Sequence, residues 1–572
     1  MPAERQIRDV VMMGVIHERL ASVAEDVGQI LIKGAFSSNI KERRDCSTGL
    51  FDAQGHLICQ ADHMPIHIGS LHWGVRALLE KYPLPEIARG DAFICNDPYL
   101  AGGTHLPDIS ILTPVFVGNE IRFFTGNIAH HADVGGPVPG SVSGQSRTII
   151  AEGIRLPLIR IQRDGVVDED LIELIAENTR EPLDRTLDLK TQIGANEKGA
   201  ALLGAVVAEY GLETVETAIE DLLFYTGRRI SEAVRDLPDG TYRAERFLDN
   251  DGVGSEPVAL KVAATIDGDR LSFDFTGSGP EAAGAINLSA SSLDATLSYC
   301  VKSLLDPGVP SNSGLLASFT VHAPEGTIIS PRPPAAVAAR AVTSNRLAGA
   351  IFDALQQAIP VDRRMAASND STSLVAMSGW DEARGRPFVY PESIGGGAGA
   401  FADRDGMDAI HVHTINSTNL PIEALEVEYP LSCRTYALVP DSGGAGRHRG
   451  GLGIEREIQA LADGVTVTLR SDGHRFPAPG SAGGLAGSVT VITRIDGDGV
   501  EEDVPSKCTL ELKAGDRIRV RTLGGGGFGE PSSRDSQALT DDLRTGKVTA
   551  EAARRDYGAA PVAAAMKAID ET

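Results

Sequence analysis

Over the first 35 positions, apolar residues recur at Ile7, Val10, Val11, Val15 and Leu20 among charged ones, the spacing of one helix face. This predicts a helix over 7–35. CSTGLF and HLICQA then flank DAQG, a turn signal ending in glycine, and predict a hairpin. HIGSLHWGVRALLEKY has helical spacing and stops before Pro83. AFICNDP, ISILTPVFV and IRFFTGNIAHH read as strands, the last two joined through the Gly-Asn turn of VGNEI. A strongly helical stretch from about 168 to 235 ends at the Pro-Asp-Gly turn of LPDG. From 240 the pattern turns to strands in VALKVAATI and DRLSFDFTG, and helices return at 293–305 and 342–358. The stretch 375–415 is rich in glycine and serine. From about 430 to 528 short strands alternate with glycine-rich turns, the pattern of a β-rich unit. The last 40 residues read as a polar helical tail.

The expected fold class is therefore α+β with several domains. The expected divisions are a mixed region at 1–237 that carries the candidate metal site, a middle domain at 238–430, a β-rich domain at 431–530 and a helical tail at 531–572. A length of 572 residues agrees, being too long for one compact core. The formal net charge of −25 argues against a nucleic-acid partner, because phosphate backbones need clustered Lys and Arg. No stretch approaches the roughly 20 apolar residues of a membrane span. MPAERQIRDVVMMGVI has charges where a signal peptide needs an apolar run, so a cytoplasmic location is expected. Six scattered cysteines fit reduced thiols there.

Candidate chemistry gathers early: eight of the 13 histidines fall in the first 131 residues. The strongest constellation runs from Asn96 and Asp97 through Gly102, Gly103 and Thr104 to His105, Pro107 and Asp108. On a straight strand, residues three apart face opposite ways. The Gly-Gly step and Pro107 predict a turn that can bring His105 and Asp108 to one point. His130 and His131 end the next strand, and neighbours on a strand point to opposite faces. Only one of them can then ligate the same ion, leaving the other for a supporting or substrate role. Imidazole with carboxylate suits Zn, Mn or Fe. By itself a lone His-x-x-Asp is more often a surface hydrogen bond or a loop brace. LGGGGFGEP and IGGGAGAF could cradle a phosphate on backbone N–H groups, but a tight surface turn is the favoured reading of four glycines before an aromatic. There is no P-loop, no G-x-S-x-G elbow and no His-Glu-x-x-His helix.

RRDCSTGLFDAQGHLICQADHMPIHIGSL, GDAFICNDPYLAGGTHLPDISILTPVF and GNIAHHADVGG resemble the N-terminal signature of the hydantoinase B/oxoprolinase family. FTGSGPEAAGAINL, NSGLLASFTVHAPEGTIISPRPPAAVAAR, NSTNLPIEALEVEYPL, GAGRHRGGLGIEREI, GGGGFGEP and the closing KVTAEAARRDYGAAP agree with it, so the resemblance spans nearly the whole chain. The family includes N-methylhydantoinase, 5-oxoprolinase, caprolactamase and the large subunits of acetone and acetophenone carboxylases. The resemblance implies a B-type subunit with one divalent metal ion (Zn, Mn or Fe) on Asp45, His105, Asp108 and His130. It also implies an A-type ATPase partner that binds ATP and Mg, in a heterotetramer or larger assembly. That partner would phosphorylate the carbonyl oxygen of a small cyclic amide. A metal-activated water would attack the resulting electrophile, and loss of phosphate and ring opening would follow. His131 or Asp97 would relay the proton. His63 and His67 would line the pocket or serve the fold. Two alternatives are an ATP-dependent ketone carboxylase subunit and a scaffold whose metal only braces the structure.

Overall fold

The computed structural model describes residues 6–571 apart from positions 62 and 68. It is an α+β, multi-domain chain, and its described strands form four main sheets. The first sheet uses β1 (Cys46–Asp52), β2 (Leu57–Gln60), β3 (Ala92–Cys95), β4 (Asp108–Val117), β5 (Glu120–His130), β6 (Ile159–Arg163) and β7 (Val166–Val167). Their order is β2-β1-β5-β4-β3-β6-β7. Both faces of its centre are covered. The helices Val10–Gly34 and Pro182–Tyr210 bury Leu20 and Leu203 against Val115 and Phe123. The helix Ser70–Lys81 buries Val75 and Leu78 against Leu112 and Phe124 on the other side. Two-sided burial explains why β4 reads as an almost continuous apolar run. The Asp9 side chain caps the first helix by accepting from the Met12 N–H.

A second sheet contains β8 (Gly240–Leu248), β9 (Val258–Asp267), β10 (Arg270–Asp274) and β11 (Phe319–His322). The helices Ala290–Leu305 and Arg340–Leu355 share its apolar core, through Leu297, Leu347 and Ile351 against Leu260 and Phe273. A third sheet joins β12 (Ser373–Asp381) and β13 (Arg386–Ile394) to β16 (Val465–Arg470) and β19 (Lys507–Leu512). It therefore crosses position 430. The fourth holds β14 (Leu431–Leu438), β15 (Ile454–Ala460), β17 (Val491–Ile495), β18 (Glu501–Asp503) and β20 (Arg517–Arg521). One core cluster includes Val375 and Tyr390 from the third sheet with Ile458 and Val520 from the fourth. No helix among the described residues is long and apolar enough to cross a membrane.

The glycine runs correct the sequence reading. Gly524–Gly527 are buried and make neither a surface turn nor a phosphate cradle. The Gly525 N–H donates to the Gly451 carbonyl (2.9 Å), the Gly526 N–H to Ala367 (2.8 Å) and the Gly527 N–H to Leu485 (2.9 Å). Their amides are thus used up on neighbouring backbone. The segment 394–401 packs into the same assembly: a Cβ on Gly525 would lie 1.9 Å from the Ala398 oxygen, and one on Gly397 would lie 1.9 Å from the Gly451 oxygen. Only glycine permits such backbone approach. Gly525→Ala should therefore destabilise the protein by about 3 kcal/mol or more, the upper range of overpacking. Gly194→Ala, in a helix with open space at the Cβ position, should be neutral or stabilising by up to about 1 kcal/mol. Denaturant melts of both variants check the contrast.

Candidate metal centre

The register of β4 and β5 pairs Asp108 directly with His130. Directly opposed residues share a face, so their side chains meet at the end of two central strands of the sheet. His105 arrives by the predicted turn, in which the Asp108 N–H donates to the His105 carbonyl (3.1 Å). The glycines before it are required. Gly102 has φ +68°, and a Cβ there would lie 1.9 Å from the Trp73 Cβ; at Gly103 it would lie 2.2 Å from the Asn96 oxygen. Together these place His105 Nε2 3.2 Å from Asp108 Oδ1 and 3.1 Å from His130 Nδ1, which is itself 2.9 Å from Asp108 Oδ1. Four ligands at about 2.0–2.1 Å around a tetrahedral ion stand roughly 3.3 Å apart. The three atoms are close to that spacing.

The chemistry of the donors fits a divalent ion. The Ala338 carbonyl accepts from His105 Nδ1 (2.9 Å), which leaves the Nε2 lone pair facing the cluster. Burial, reinforced by the Arg340 charge, pushes the His105 imidazole down to about 3, so it is neutral. Burial alone would raise the Asp108 carboxyl, but the Arg340 guanidinium beside it outweighs that and helps hold it well below the usual range. Its outer oxygen, Oδ2, accepts from Arg340 Nη2 (2.7 Å) and from the Thr104 hydroxyl. Such outer bonds fix the rotamers of metal ligands and tune them. Arg43, Asp45, His67, Arg340 and Arg470 line the same small cavity. Asp45 reaches the wall after Arg44, whose φ of 54° bends the chain, and the Asp45 carbonyl accepts from the His130 N–H (2.9 Å). The Asp45 carboxylate is not part of the three-atom cluster.

Arg470, pushed down to about 9 by burial and by Arg340, donates to the same Ala338 carbonyl from Nη1 (2.9 Å). The Ala338 peptide is held in turn by Glu152, whose Oε1 accepts from the Val337 and Ala338 N–H groups (2.9 and 2.8 Å). Glu152 Oε2 is buried with no partner, and burial pushes this carboxyl up to about 8.

The two residues expected to relay protons lie elsewhere. His131 follows His130 with opposite parity and faces the helix Pro182–Tyr210. Its Nε2 meets Gln192 Oε1 (2.9 Å) and its Nδ1 meets Arg185 Nη1 (2.6 Å). Both its ring nitrogens are engaged in a buried polar layer that includes Asn127 and Asn196. Asp97 braces the glycine loop: Oδ1 accepts from the Tyr99 and Leu100 N–H groups, and Oδ2 pairs with Arg155 (2.7 Å). Neither residue lines the cavity. His67 does, while His63 lines a neighbouring cavity that shares Met64 with it. Cys46 and Cys95 are buried, and burial raises both thiols. Sequence reasoning missed Arg340, Arg470 and Glu152, and named Thr104 without giving it a role. Arg340 closes PRPPAAVAAR and Arg43 lies just before DCSTG, but a single arginine has no local signature of a site.

The profile of the hydantoinase B/oxoprolinase family matches residues 9–531. The chain belongs to the hydantoinase B/oxoprolinase family. Among its relatives is a Pseudomonas sp. (strain NS671) protein provisionally named as the B-type subunit of a D-/L-hydantoinase, 32% identical over 96% of this chain and 95% of that protein. The 5-oxoprolinase 1 of Arabidopsis thaliana is 32% identical over 91% of this chain. The match occupies only 42% of that oxoprolinase's length. Among solved structures, the ATP-dependent caprolactamase from Pseudomonas jessenii superposes with a TM-score of 0.89 at 28% identity, over 98% of this chain and 100% of the matched one. A nucleotide-free acetone carboxylase superposes with the same TM-score at 19% identity, over 99% of this chain and 83% of the matched one, which shows a shared fold.

Glu152 yields a pH test independent of activity. Its carboxyl titrates near 8 when folded, against an ordinary 4.5. Between those values the folded chain holds a proton that the unfolded chain has released, so stability falls as pH rises through this window. Glu152→Gln keeps an acceptor for the two N–H groups and removes the titration. Between pH 5 and 8 the wild-type protein should lose on the order of a few kcal/mol relative to the variant, measured as a divergence of their denaturation midpoints.

Proposed function

We propose that this chain is the metal-carrying B-type subunit of an ATP-dependent hydrolase that opens cyclic amides such as hydantoins, oxoproline or lactams. The observation that carries the reading is the buried His105–Asp108–His130 cluster, found in a chain of this family. A divalent ion on these donors, with Asp45 as fourth candidate, would supply Lewis-acid activation of water near neutral pH. Resonance makes a ring amide a poor electrophile. Phosphorylating its oxygen turns that oxygen into a leaving group and exposes the ring carbon to attack. Overall, ATP and two waters are consumed, and the ring-opened acid, ADP and phosphate are released.

The chain's own residues orient and move protons. Arg340 and Thr104 hold the outer oxygen of Asp108, and Ala338 fixes the tautomer of His105. We assign proton transfer to His67. Ser47 Oγ accepts from the Met64 N–H (3.3 Å) and meets His67 Nδ1 (3.0 Å), so its one hydrogen is available to that nitrogen. The proton of His67 then sits on Nε2, 3.7 Å from Asp108 Oδ2 at the cavity wall.

ATP handling falls to a partner A-type ATPase subunit. The hydantoinase relative, itself named as one subunit of an enzyme, matches end to end, while more than half of the matched oxoprolinase lies outside the shared region. The end-to-end caprolactamase match favours hydrolysis over carboxylation. Chelator-free preparations should contain close to one divalent transition ion per chain, lost in His105→Ala and His130→Ala. His67→Ala should keep the ion and lose about 10²–10⁴-fold in turnover, measured with the A-type partner co-expressed and hydantoins, oxoproline and lactams supplied. The isolated chain should not turn over ATP. Absence of bound metal, or robust ATPase activity of the homogeneous chain, refutes the assignment.

A further inference from the structure

Three guanidinium groups line the metal cavity, and Arg43, Arg340 and Arg470 are 2%, 4% and 3% exposed. Arg340 is paired with Asp108. Among the described residues, the other two form no ion pair with an acid. Arg43 donates to Asn39 Oδ1, the Pro391 carbonyl and Ser417 Oγ, all neutral, and its Nε has no partner. Arg470 donates to the Ala338 carbonyl alone, and its Nε is likewise unpartnered. Among the described residues, neither has a carboxylate within ion-pair distance. Buried cations are normally paired, because desolvating a charge without a counter-charge is costly.

The charges of the lining decide what is missing. Among the described residues, its carboxylates are Asp45 and Asp108. Against three guanidinium groups they leave one surplus positive charge, and a divalent ion would raise the surplus to three. We propose that Arg43 and Arg470 form an oxyanion subsite beside the metal donors, whose guest is the phosphoryl group of the activated substrate. This rests on the function proposed above. A phosphoryl dianion matches the surplus better than a carboxylate, and its oxygens suit the forked donors of arginine. The cavity encloses about 30 Å³, enough for water but not for a whole phosphoryl group without rearrangement. Met64 lines both this cavity and the adjoining one of about 250 Å³, so entry of the phosphoryl end from that side would require Met64 to shift.

The test is calorimetric titration of the purified full chain with inorganic phosphate, and with acetate as the carboxylate arm. Wild type, Arg470→Met, Arg43→Met and Arg470→Lys are compared, with and without metal, and metal content is assayed in every sample. Phosphate should bind the wild type more tightly than acetate. Each methionine variant should lose about 10-fold or more in phosphate affinity, the scale of a lost charge-assisted hydrogen bond. Arg470→Lys, which keeps the charge without the fork, should fall between. Without ligand, Arg470→Met should melt at or above the wild-type temperature, because a buried unpaired cation has been removed. Phosphate should raise the wild-type melting temperature more than the variant's. Undiminished phosphate affinity in both methionine variants, or tighter binding of acetate than of phosphate, overturns the subsite. An absent metal refutes the proposed function instead, and the arginine dependence is still scored on the metal-free chain.

Discussion

Asp108 and His130 face each other only because β4 and β5 pair in one register. Side chains alternate along a strand, so a slip of one residue on either strand would send one of the two ligand candidates to the opposite face. Several independent contacts hold this register. Val115 and Phe123 pack under the first helix, while Leu112 and Phe124 pack under the helix Ser70–Lys81. A slip would drive both sets of apolar side chains out of their cores at once. At the far end of the hairpin, the His130 N–H is tied to the Asp45 carbonyl (2.9 Å). The same bond brings Asp45 to the cavity wall, so the strand that fixes His130 also delivers the fourth candidate donor.

A second anchor comes from far along the chain. The Ala338 carbonyl accepts from both His105 and Arg470, and Glu152 clamps the peptide that carries it. One peptide group thereby sets the tautomer of a candidate ligand and the position of a buried cation. The cavity is thus assembled from the first sheet, the segment before the helix Arg340–Leu355 and the end of β16. The glycine assembly around Gly525 joins the backbones on which the third and fourth sheets converge. Its tolerance for change is low for a geometric reason, since no side chain stands between the backbones to absorb a displacement.

How much of this was legible in the sequence follows from the range of each interaction. The His105–Asp108 turn could be anticipated, because glycine and proline encode backbone bends over a few residues. Opposite facing of His130 and His131 follows from strand parity alone. The role of His131 could not be read that way. Its partners Arg185 and Gln192 sit on a helix more than fifty positions away, and only tertiary packing shows that both its nitrogens are occupied. Asp97 stands at the other extreme: its bonds to the Tyr99 and Leu100 N–H groups are the local brace that a short polar side chain before a turn commonly forms. The glycine runs were misread because a turn and a backbone-packed core require the same residue. Composition does not distinguish a glycine that needs positive φ from one that needs an absent Cβ.

The charge of the whole chain and the charge of its cavity have opposite signs. A formal net charge of −25 describes the surface and its solubility. It says nothing about an enclosed site where, among the described residues, three guanidinium groups outnumber two carboxylates. In bulk solvent such an imbalance would be trivial, but inside the protein the low effective dielectric makes it a strong selector of guests. The same imbalance bears on metal binding, because a divalent cation placed beside Arg340 is repelled by it. The Asp108 carboxylate reconciles the two cations by offering Oδ2 to Arg340 and Oδ1 to the ligand cluster. Its two oxygens therefore divide the cavity into a metal half and a guanidinium half. An anion bridging those halves would be attracted by both, whereas a neutral ring amide would gain little from either. On this electrostatic ground the cavity favours an anionic guest over a neutral ring amide, which is what the function proposed above requires of it.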